Sequence, residues 1–368
     1  EFCGGLLMVC EHSWGRDVKR WLSDWRNWEK QDFYRARERD HITPEDVMPA
    51  GELLREFTLH SEPTFVEGLC SYKLMEESWT EQRGYIQEAV AALPEKWRSE
   101  AVKRLEALRP RAPGQCGRPS EGRSFTIGGR SVAVEEDGSV RVGDNWLGRL
   151  VYEVYGAKTV FENLEKYNRD LEHTRVWAEG DFSKPGLDTV QDLKDEAFPY
   201  SLTAIEQEGD TLRLWLIAPE RAGERFGAPR TATVTYTFGE DILIELQWFD
   251  KDESRIPEGL FFGFGLGYEK GGAFKIEKLG LPVDPYNVRE GGNRKLHASP
   301  VIEGGNGTVR SLHAPLLSVG GRHLYDENED YGSPCDGMWY LLHNNRWGTN
   351  FPLWYGENAR FQFKVNIK

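Results

Sequence analysis

The spacing of apolar residues changes once along this chain of 368 residues, and the change constrains the fold more than any other feature. Before residue 109, apolar residues recur at helical spacing, as Val18, Trp21, Leu22 and Trp25 do. After residue 122, they alternate in short runs that glycine-rich turns separate. Residues 109–122 are rich in Pro, Gly and Arg, which is typical of a linker. The sequence therefore predicts a helical part followed by an all-β part.

The helical part is predicted to form a small bundle of three amphipathic helices. The first helix begins near Val18 and runs to about Arg39. The second covers residues 63–93 and ends there because Pro94 lacks a backbone N–H. The third follows directly and ends before Pro110.

Short alternating runs predict a β-sandwich in the second part. One helical segment is predicted within it, near residues 160–167. The predicted strands are Phe125–Ile127, Val132–Val134, Val140–Val142, Thr211–Ile217, Thr231–Phe238, Ile242–Phe249, Leu260–Leu266, Trp339–His343 and Arg360–Ile367.

The apolar run Leu6–Cys10 at the start of the chain predicts a different kind of strand, buried on both faces as in a parallel sheet. Polar residues and a helical pattern follow it, and catalytic groups collect at the carboxyl ends of such strands. One strand cannot form a sheet alone. Because the chain also lacks an initiator Met, we expect it to be part of a larger protein.

Charge and cysteine content limit the class of partner and compartment. The formal net charge of -14 argues against a nucleic-acid partner, since phosphate binding needs a basic surface. The sequence contains no run of 18 apolar residues, so no membrane span is predicted. Five scattered cysteines without a CxxC pair predict free thiols, typical of a reducing compartment, whereas the sequon at Asn306 is compatible with secretion. The compartment therefore stays open.

His12, in the segment Glu11–Gly15, is the first candidate for chemistry. A neutral imidazole just after a buried strand is suited to bind a divalent metal, and Glu11 can orient it through a hydrogen bond. The alternative is a histidine that caps a helix or satisfies a hydrogen bond in the core.

Six segments spread over almost the whole chain resemble a group of glycosidases related to glycoside hydrolase family 38, the α-mannosidase family. The segments are Glu11–Lys19, Trp79–Ile86, Arg255–Glu258, Gly291–Ala298, Ser311–Leu316 and Leu342–Pro352. In that family a His-His-Asp-Ala-Ile-Thr-Gly motif supplies a zinc ligand from its second His, which His12 matches. Glu11 replaces the first His and Ser13 replaces the Asp, a sugar contact, so the sugar specificity stays open.

The resemblance implies the carboxyl-terminal part of a zinc-dependent retaining glycoside hydrolase. It places the nucleophile and the other zinc ligands on an amino-terminal catalytic barrel, so no catalytic residue is expected in this chain. The implied fold class is α+β, with the end of a barrel strand in residues 1–15, a helical bundle in 16–112, a linker in 113–122 and β-sandwich domains in 123–368. The implied partners are the amino-terminal segment and a carbohydrate substrate.

The segment Leu342–Pro352 is the second candidate for chemistry. Amide side chains bind vicinal hydroxyls and a Trp ring stacks on a sugar, so this loop is predicted to shape a sugar pocket. The alternative is a buried turn whose amides satisfy backbone groups. The predicted sugar contacts are Trp14, Asp17, Asn344, Asn345, Trp347 and Asn350.

Two other functions remain open at this stage. A carbohydrate-binding β-sandwich without catalysis would bind sugar alone, without metal or partner. A structural scaffold would use the helices and the sandwich to bind an unrelated enzyme. Asp17 has an alternative too, because an acidic residue at the start of a helix stabilises the helix by itself.

Overall fold

Two antiparallel sheets form most of the molecule in the computed structural model. The structure describes every residue except 1, 12–13, 49, 54–67, 113, 115, 169–181, 268–273, 327–329 and 349–351. Within these described residues there are eight α-helices, named here in chain order. They are α1 Phe2–Val9, α2 Val18–Trp21, α3 Lys30–Arg39, α4 Pro44–Val47, α5 Tyr72–Ala91, α6 Glu95–Ala107, α7 Ala157–Asn168 and α8 Glu220–Glu224.

Each sheet contains nine of the described strands. Sheet A has the order β1-β2-β3-β4-β10-β17-β16-β13, and β5 also pairs with β4. Its strands are β1 Ser124–Ile127, β2 Arg130–Val134, β3 Val140–Val142, β4 Asn145–Val154, β5 Glu196–Pro199, β10 Glu258–Gly265, β13 Leu296–Ala298, β16 Leu316–Val319 and β17 Met338–Asn344.

Sheet B has the order β12-β11-β14-β15-β18-β9-β8-β7-β6. Its strands are β6 Ser201–Glu208, β7 Thr211–Ile217, β8 Thr231–Phe238, β9 Ile242–Phe249, β11 Phe274–Lys278, β12 Leu281–Val283, β14 Val301–Gly304, β15 Gly307–Ser311 and β18 Ala359–Ile367.

The inner faces of the two sheets share one apolar core. Phe363 of sheet B contacts Phe262, Phe264 and Tyr340 of sheet A, with ring centroids 5.2 to 5.3 Å apart. Burial of large aromatic rings between two sheets is a major source of stability in a sandwich. The predicted α+β class with a β-sandwich is therefore confirmed, and α7 forms where a helical segment was predicted.

The strand predicted at Leu6–Cys10 is wrong, because Phe2–Val9 forms helix α1. None of the residues of α1 is buried, and the helix packs against α5, with Gly5 close to Ala89. A short apolar run fits a strand or a helix equally well by periodicity. No strand lies beside this segment in the described part of the chain, so backbone hydrogen bonds are satisfied within a helix instead.

The single helix predicted from Val18 to Arg39 is also wrong, since α2 ends at Trp21 and α3 begins at Lys30. Ser23 adopts a left-handed backbone conformation with φ of 56°. The carboxylate of Asp24 then accepts hydrogen bonds from the backbone N–H groups of Arg26 and Asn27. Such local side-chain hydrogen bonds compete with a helix and here interrupt it.

A buried arginine joins the helices to the sandwich. Arg255, just before β10, donates to the backbone carbonyl groups of Asp24 and Asn27 and to the hydroxyl of Tyr72. Its guanidinium also lies 4.6 Å from the ring centroid of Trp28. These contacts fix the interrupted segment between α2 and α3 against the sandwich. No helix of the described residues is long and apolar enough to cross a membrane.

Candidate functional site

A pocket of about 320 Å³ opens where the helices meet the sandwich. Its wall combines the loop before α2, helix α5, Trp248 of β9 and described residues at the end of β17, at the start of β18 and between these two strands. We call it the aromatic pocket. It is lined by Trp14, Trp79, Gln82, Trp248, Leu342, His343, Asn344, Asn345, Trp347, Pro352, Trp354, Tyr355, Ala359 and Phe361.

The loop before α2 is held in place by hydrogen bonds to α5. The backbone N–H of Gly15 donates to the Glu81 carboxylate at 3.1 Å, and that of Arg16 donates to the Ser78 hydroxyl at 3.0 Å. Gly15 has a φ of 79°, a backbone conformation that favours glycine. The turn places the buried ring of Trp14 6.1 Å from that of Trp79.

Four rings follow one another along the pocket. From Trp14 the series continues through Trp79 to Tyr355, 5.8 Å away, and from Tyr355 to His343, 5.5 Å away. Burial and the nearby Glu357 carboxylate raise the pKa of Tyr355 to about 12, so its hydroxyl stays protonated. The pocket therefore offers flat ring surfaces next to polar groups, the combination typical of small-molecule sites.

The amide of Asn345 supports the loop rather than facing a ligand. Its Nδ2 donates to the carbonyl groups of Ile256 and Leu353, at 2.8 and 3.1 Å, and its Oδ1 accepts from the backbone N–H of Glu258 at 2.8 Å. The side chain is buried. Asn345 thus fits the alternative of a buried turn, and it positions its two neighbours in the chain.

Asn344 and Trp347 keep groups that a ligand can reach. Asn344 is half-buried, and its Oδ1 accepts from the backbone N–H of Arg346 at 3.1 Å. Its Nδ2 makes no hydrogen bond within the described part of the chain. Trp347 is also half-buried, with the Arg346 guanidinium 5.4 Å from its ring centroid. A donor amide and an indole face therefore lie in the same wall.

A fully buried carboxylate lies behind the pocket. Glu258 Oε1 accepts from Lys251 Nζ at 2.8 Å and from His343 Nε2 at 2.9 Å, and Oε2 accepts from the Tyr152 hydroxyl at 2.6 Å. Burial raises the pKa of Glu258, but Lys251 and His343 outweigh it and lower the pKa to about 2. Glu258 therefore stays ionised and fixes the His343 ring.

The other predicted sugar contacts lie outside the pocket or outside the described residues. Asp17 is the N-cap of α2, where its Oδ1 accepts from the backbone N–H of Lys19 at 2.7 Å, and it does not line the pocket. This is the helix-stabilising role that the sequence left open. His12 and Asn350 are not among the described residues, so the metal ligand and this sugar contact stay predictions.

Sequence reasoning did not select several residues of the pocket, above all Trp79, His343 and Tyr355. Trp79 lies within the amphipathic helix predicted over residues 63–93, and apolar residues of such a helix usually face the core. His343 directly precedes Asn344 in the same motif, and that adjacency was the available signal.

The described part of the chain contains no group of three or more His, Cys, Asp or Glu side chains arranged to hold a metal ion. The resemblance implies that the other ligands of a zinc site involving His12 come from another polypeptide segment, and this stays a prediction.

A larger groove of about 590 Å³ lies on sheet B, beside Arg111 and the threonine row Thr233, Thr235 and Thr237. Of the six motif segments, only Ser311–Leu316 contributes a described lining residue to this groove, namely Leu312. Size alone does not identify a functional site. We place the candidate site in the aromatic pocket, where three of the motif segments meet.

Comparison with known proteins identifies a family but no activity. No curated protein matches the chain. Among the solved structures that match the chain, three align with it at low similarity. The protein HI1317 aligns at 10% identity and a TM-score of 0.31, covering 67% of this chain and 91% of its own. The Slr1438 protein from Synechocystis sp. PCC 6803 aligns at 11% identity and 0.30, covering 70% and 100%.

The third structure is a galactose mutarotase related enzyme from Lactobacillus acidophilus, at 9% identity and a TM-score of 0.30, covering 67% of this chain and 97% of its own. Likenesses this weak support no conclusion about fold or function. The model of a domain of unknown function, DUF5054, matches residues 1–244, which is more than half of the chain. The chain therefore belongs to the DUF5054 family.

Proposed function

We propose that this chain is the carbohydrate-binding part of a zinc-dependent retaining glycoside hydrolase of the α-mannosidase type. The aromatic pocket is its sugar-contacting surface. The observation that supports this most is the meeting of Trp14, two positions after His12 in the sequence, with Asn344 and Trp347 in one pocket. Trp14 lies more than 300 positions before Asn344 and Trp347 in the sequence, and all three were predicted to contact sugar.

The chemistry of the pocket suits a neutral sugar. Among its described lining residues there is no Asp, Glu, Lys or Arg, so the pocket wall offers rings and neutral polar groups. The C–H faces of a pyranose pack on flat aromatic rings, and amides bind its hydroxyls. A volume of about 320 Å³ is at the lower end of the range for ligand pockets, which suits one or two sugar units.

In this proposal, catalysis and sugar binding are assigned to two different polypeptide segments. Retaining hydrolysis needs two carboxyl groups on either side of the scissile bond, and we assign both to the amino-terminal segment. His12 is the one zinc ligand from this chain. When bound, the zinc would orient and polarise the sugar hydroxyls. The described residues bind and orient the sugar through the aromatic pocket.

The surface of the helices is compatible with a contact to that second segment. Helices α1 and α6 have no buried residues. Leu7 is 75% exposed and Trp97 is 59% exposed, and Val102 and Leu105 of α6 are exposed as well. Exposed apolar patches are typical of surfaces that bind another polypeptide, and these side chains are available for such a contact.

A carbohydrate-binding module without catalysis is the second candidate. The aromatic rings and amide groups that line the pocket suit such a module as well. Under that alternative the chain binds sugar alone, and neither metal nor a second segment changes the binding.

A screen of aryl glycosides with the complete protein, with and without a chelator, tests the proposal. We expect hydrolysis of at least one glycoside, its loss with the chelator, and one zinc ion per protein by metal analysis. His12→Ala should abolish hydrolysis, whereas His41→Ala, at an exposed position outside all the motifs, should not. Hydrolysis that survives in the His12→Ala variant, or protein without zinc, would contradict the assignment of an enzyme.

A further inference from the structure

The histidine of the aromatic pocket has a defined tautomer because of the carboxylate behind it. Glu258 is ionised and can only accept hydrogen bonds, and its Oε1 lies 2.9 Å from His343 Nε2. His343 Nε2 must therefore carry a hydrogen. Lys251 donates to the same carboxylate oxygen at 2.8 Å, so the charge of Glu258 is already balanced without a charged imidazole.

The second ring nitrogen of His343 is consequently a hydrogen-bond acceptor. Burial lowers the pKa of His343, the Glu258 hydrogen bond raises it and Lys251 lowers it, with a net decrease, so the ring is neutral at pH 7. Nδ1 of a neutral ring protonated on Nε2 has a lone pair. Within the described residues, Nδ1 makes no hydrogen bond.

This acceptor belongs to a ring that lines the pocket. The side chain of His343 is 13% exposed, whereas that of Glu258 behind it is fully buried. Tyr355 lies beside the ring at 5.5 Å between centroids, and Asn344 follows in the chain. The pocket thus combines a fixed acceptor, a donor amide and aromatic faces among its lining residues.

We propose that His343 Nδ1 accepts a hydrogen bond from a hydroxyl group of a neutral pyranose bound in the aromatic pocket. This inference deepens the proposed function and rests on it. It makes His343 a binding residue, positioned by Glu258, with no proton transferred. It also specifies the ligand: an uncharged sugar that presents one hydroxyl donor next to an apolar ring face.

Titration of the chain with methyl glycosides of mannose, glucose and galactose tests the inference. We expect at least one of them to bind. His343→Phe keeps a ring of similar size but has no nitrogen, and it should weaken binding of that glycoside about tenfold, as expected for one lost hydrogen bond. His41→Phe, a matched change at an exposed histidine, should leave the affinity unchanged.

The ring nitrogens of the unmodified chain provide a readout that needs no variant. In ¹⁵N NMR, Nε2 of His343 should be protonated and Nδ1 bare, and addition of the glycoside should shift the Nδ1 signal more than the Nε2 signal. Binding that is equal in His343→Phe and wild type, or an Nδ1 signal that does not move, would overturn the inference alone. Failure of the wild-type chain to bind any of the three glycosides would overturn both the inference and the proposed sugar-binding function.

Discussion

The sandwich and the outer helices bury their apolar residues to very different degrees. All eight residues of β10 are buried, between β4 and β17 and under side chains on both faces. In α1 and α6 no residue is buried. The sandwich therefore buries its apolar side chains within itself, whereas the outer helices α1 and α6 leave apolar side chains exposed to solvent. The aromatic pocket lies between the sandwich and helix α5, and none of its described lining residues belongs to α1 or α6.

The buried charges show the same division. Inside the sandwich, Lys251 and Glu258 form an ion pair with both side chains fully buried. Between the regions, the side chains of Arg255 and Asp24 are also fully buried, but their charged atoms are 3.5 Å apart. The Arg255 guanidinium also donates hydrogen bonds to the backbone carbonyl groups of Asp24 and Asn27. The first pair belongs to the sandwich and the second fastens the helices to it. Removal of the first pair should therefore destabilise the sandwich, whereas removal of the second should loosen the contact between the helices and the sandwich.

The largest effect is expected inside the sandwich, for Glu258→Ala. The change leaves Lys251 buried without its carboxylate, and the loss of one member of a buried pair costs about 3–5 kcal/mol. Chemical unfolding measures the cost, and Glu240→Ala, at the exposed turn between β8 and β9, is the control. Because the folded pKa of Glu258 is about 2, below its ordinary value of 4.5, the contribution should be present above pH 4.5 and lost as the pH falls through about 2. An unfolding midpoint equal to that of the control would show that this pair does not stabilise the sandwich.

A smaller and more local effect is expected for Arg255→Ala, which removes the hydrogen bonds between the sandwich and the segment between α2 and α3. We expect a loss of about 3 kcal/mol, since Asp24 keeps the hydrogen bond from Tyr72. Hydrogen exchange should show faster exchange in Val18–Arg39 with little change in β8 and β9. Arg310→Ala, which removes a partly exposed pair with Glu277, is the control and should cost at most about 1 kcal/mol. Equal acceleration of exchange in both regions would contradict the comparison.

The sequence predicted the sandwich well because alternation reports a strand with one buried face. β7, β8 and β9 were predicted with the bounds that the structure shows. β4 was not predicted, although it lies in the middle of sheet A. Most of its residues are buried, so it lacks a clean alternation.

The helical part was less predictable because contacts distant in sequence decide its course. The interruption after Trp21 depends on Asp24, whose partners Tyr72 and Arg255 lie far along the chain. The helix α1 likewise depends on packing against α5. In both cases the local pattern supported a different structure, and no feature of the local residues revealed the partner.

The pH dependence of stability should reveal one more buried titratable group, the amine of Lys184, close to the pocket. Lys184 donates to the backbone carbonyl of Asn345 at 3.0 Å, and burial, with Arg255 and Arg346 nearby, lowers its pKa to about 7 from an ordinary 10.5. Between these two values the unfolded chain binds more protons, so the free energy of unfolding should rise with pH from about 7 to 10.5. The difference between wild type and Lys184→Met should follow this window. A difference that is constant across it would show that the amine is not buried uncharged.

The sequence predicted some residues of the candidate site and missed others. Trp14, Asn344 and Trp347 were selected for sugar binding, and the structure brings them into one pocket. Asn345 was selected for the same chemistry, but its amide is used by the backbone, a role that residue type cannot reveal. Trp79 and Tyr355 were not selected, because aromatic residues on a helix or in a loop usually fill the core.

The most direct test of the account compares two tryptophans of neighbouring helices. Trp79 of α5 lines the pocket, whereas Trp97 of α6 is 59% exposed and lies outside it. Ligand-observed NMR with methyl α-mannopyranoside should show binding by the wild-type chain. We predict that Trp79→Ala weakens binding about tenfold or more, which corresponds to about 1.4 kcal/mol of lost stacking, and that Trp97→Ala leaves it unchanged. Equal binding by the two variants would contradict a sugar site between the helices and the sandwich.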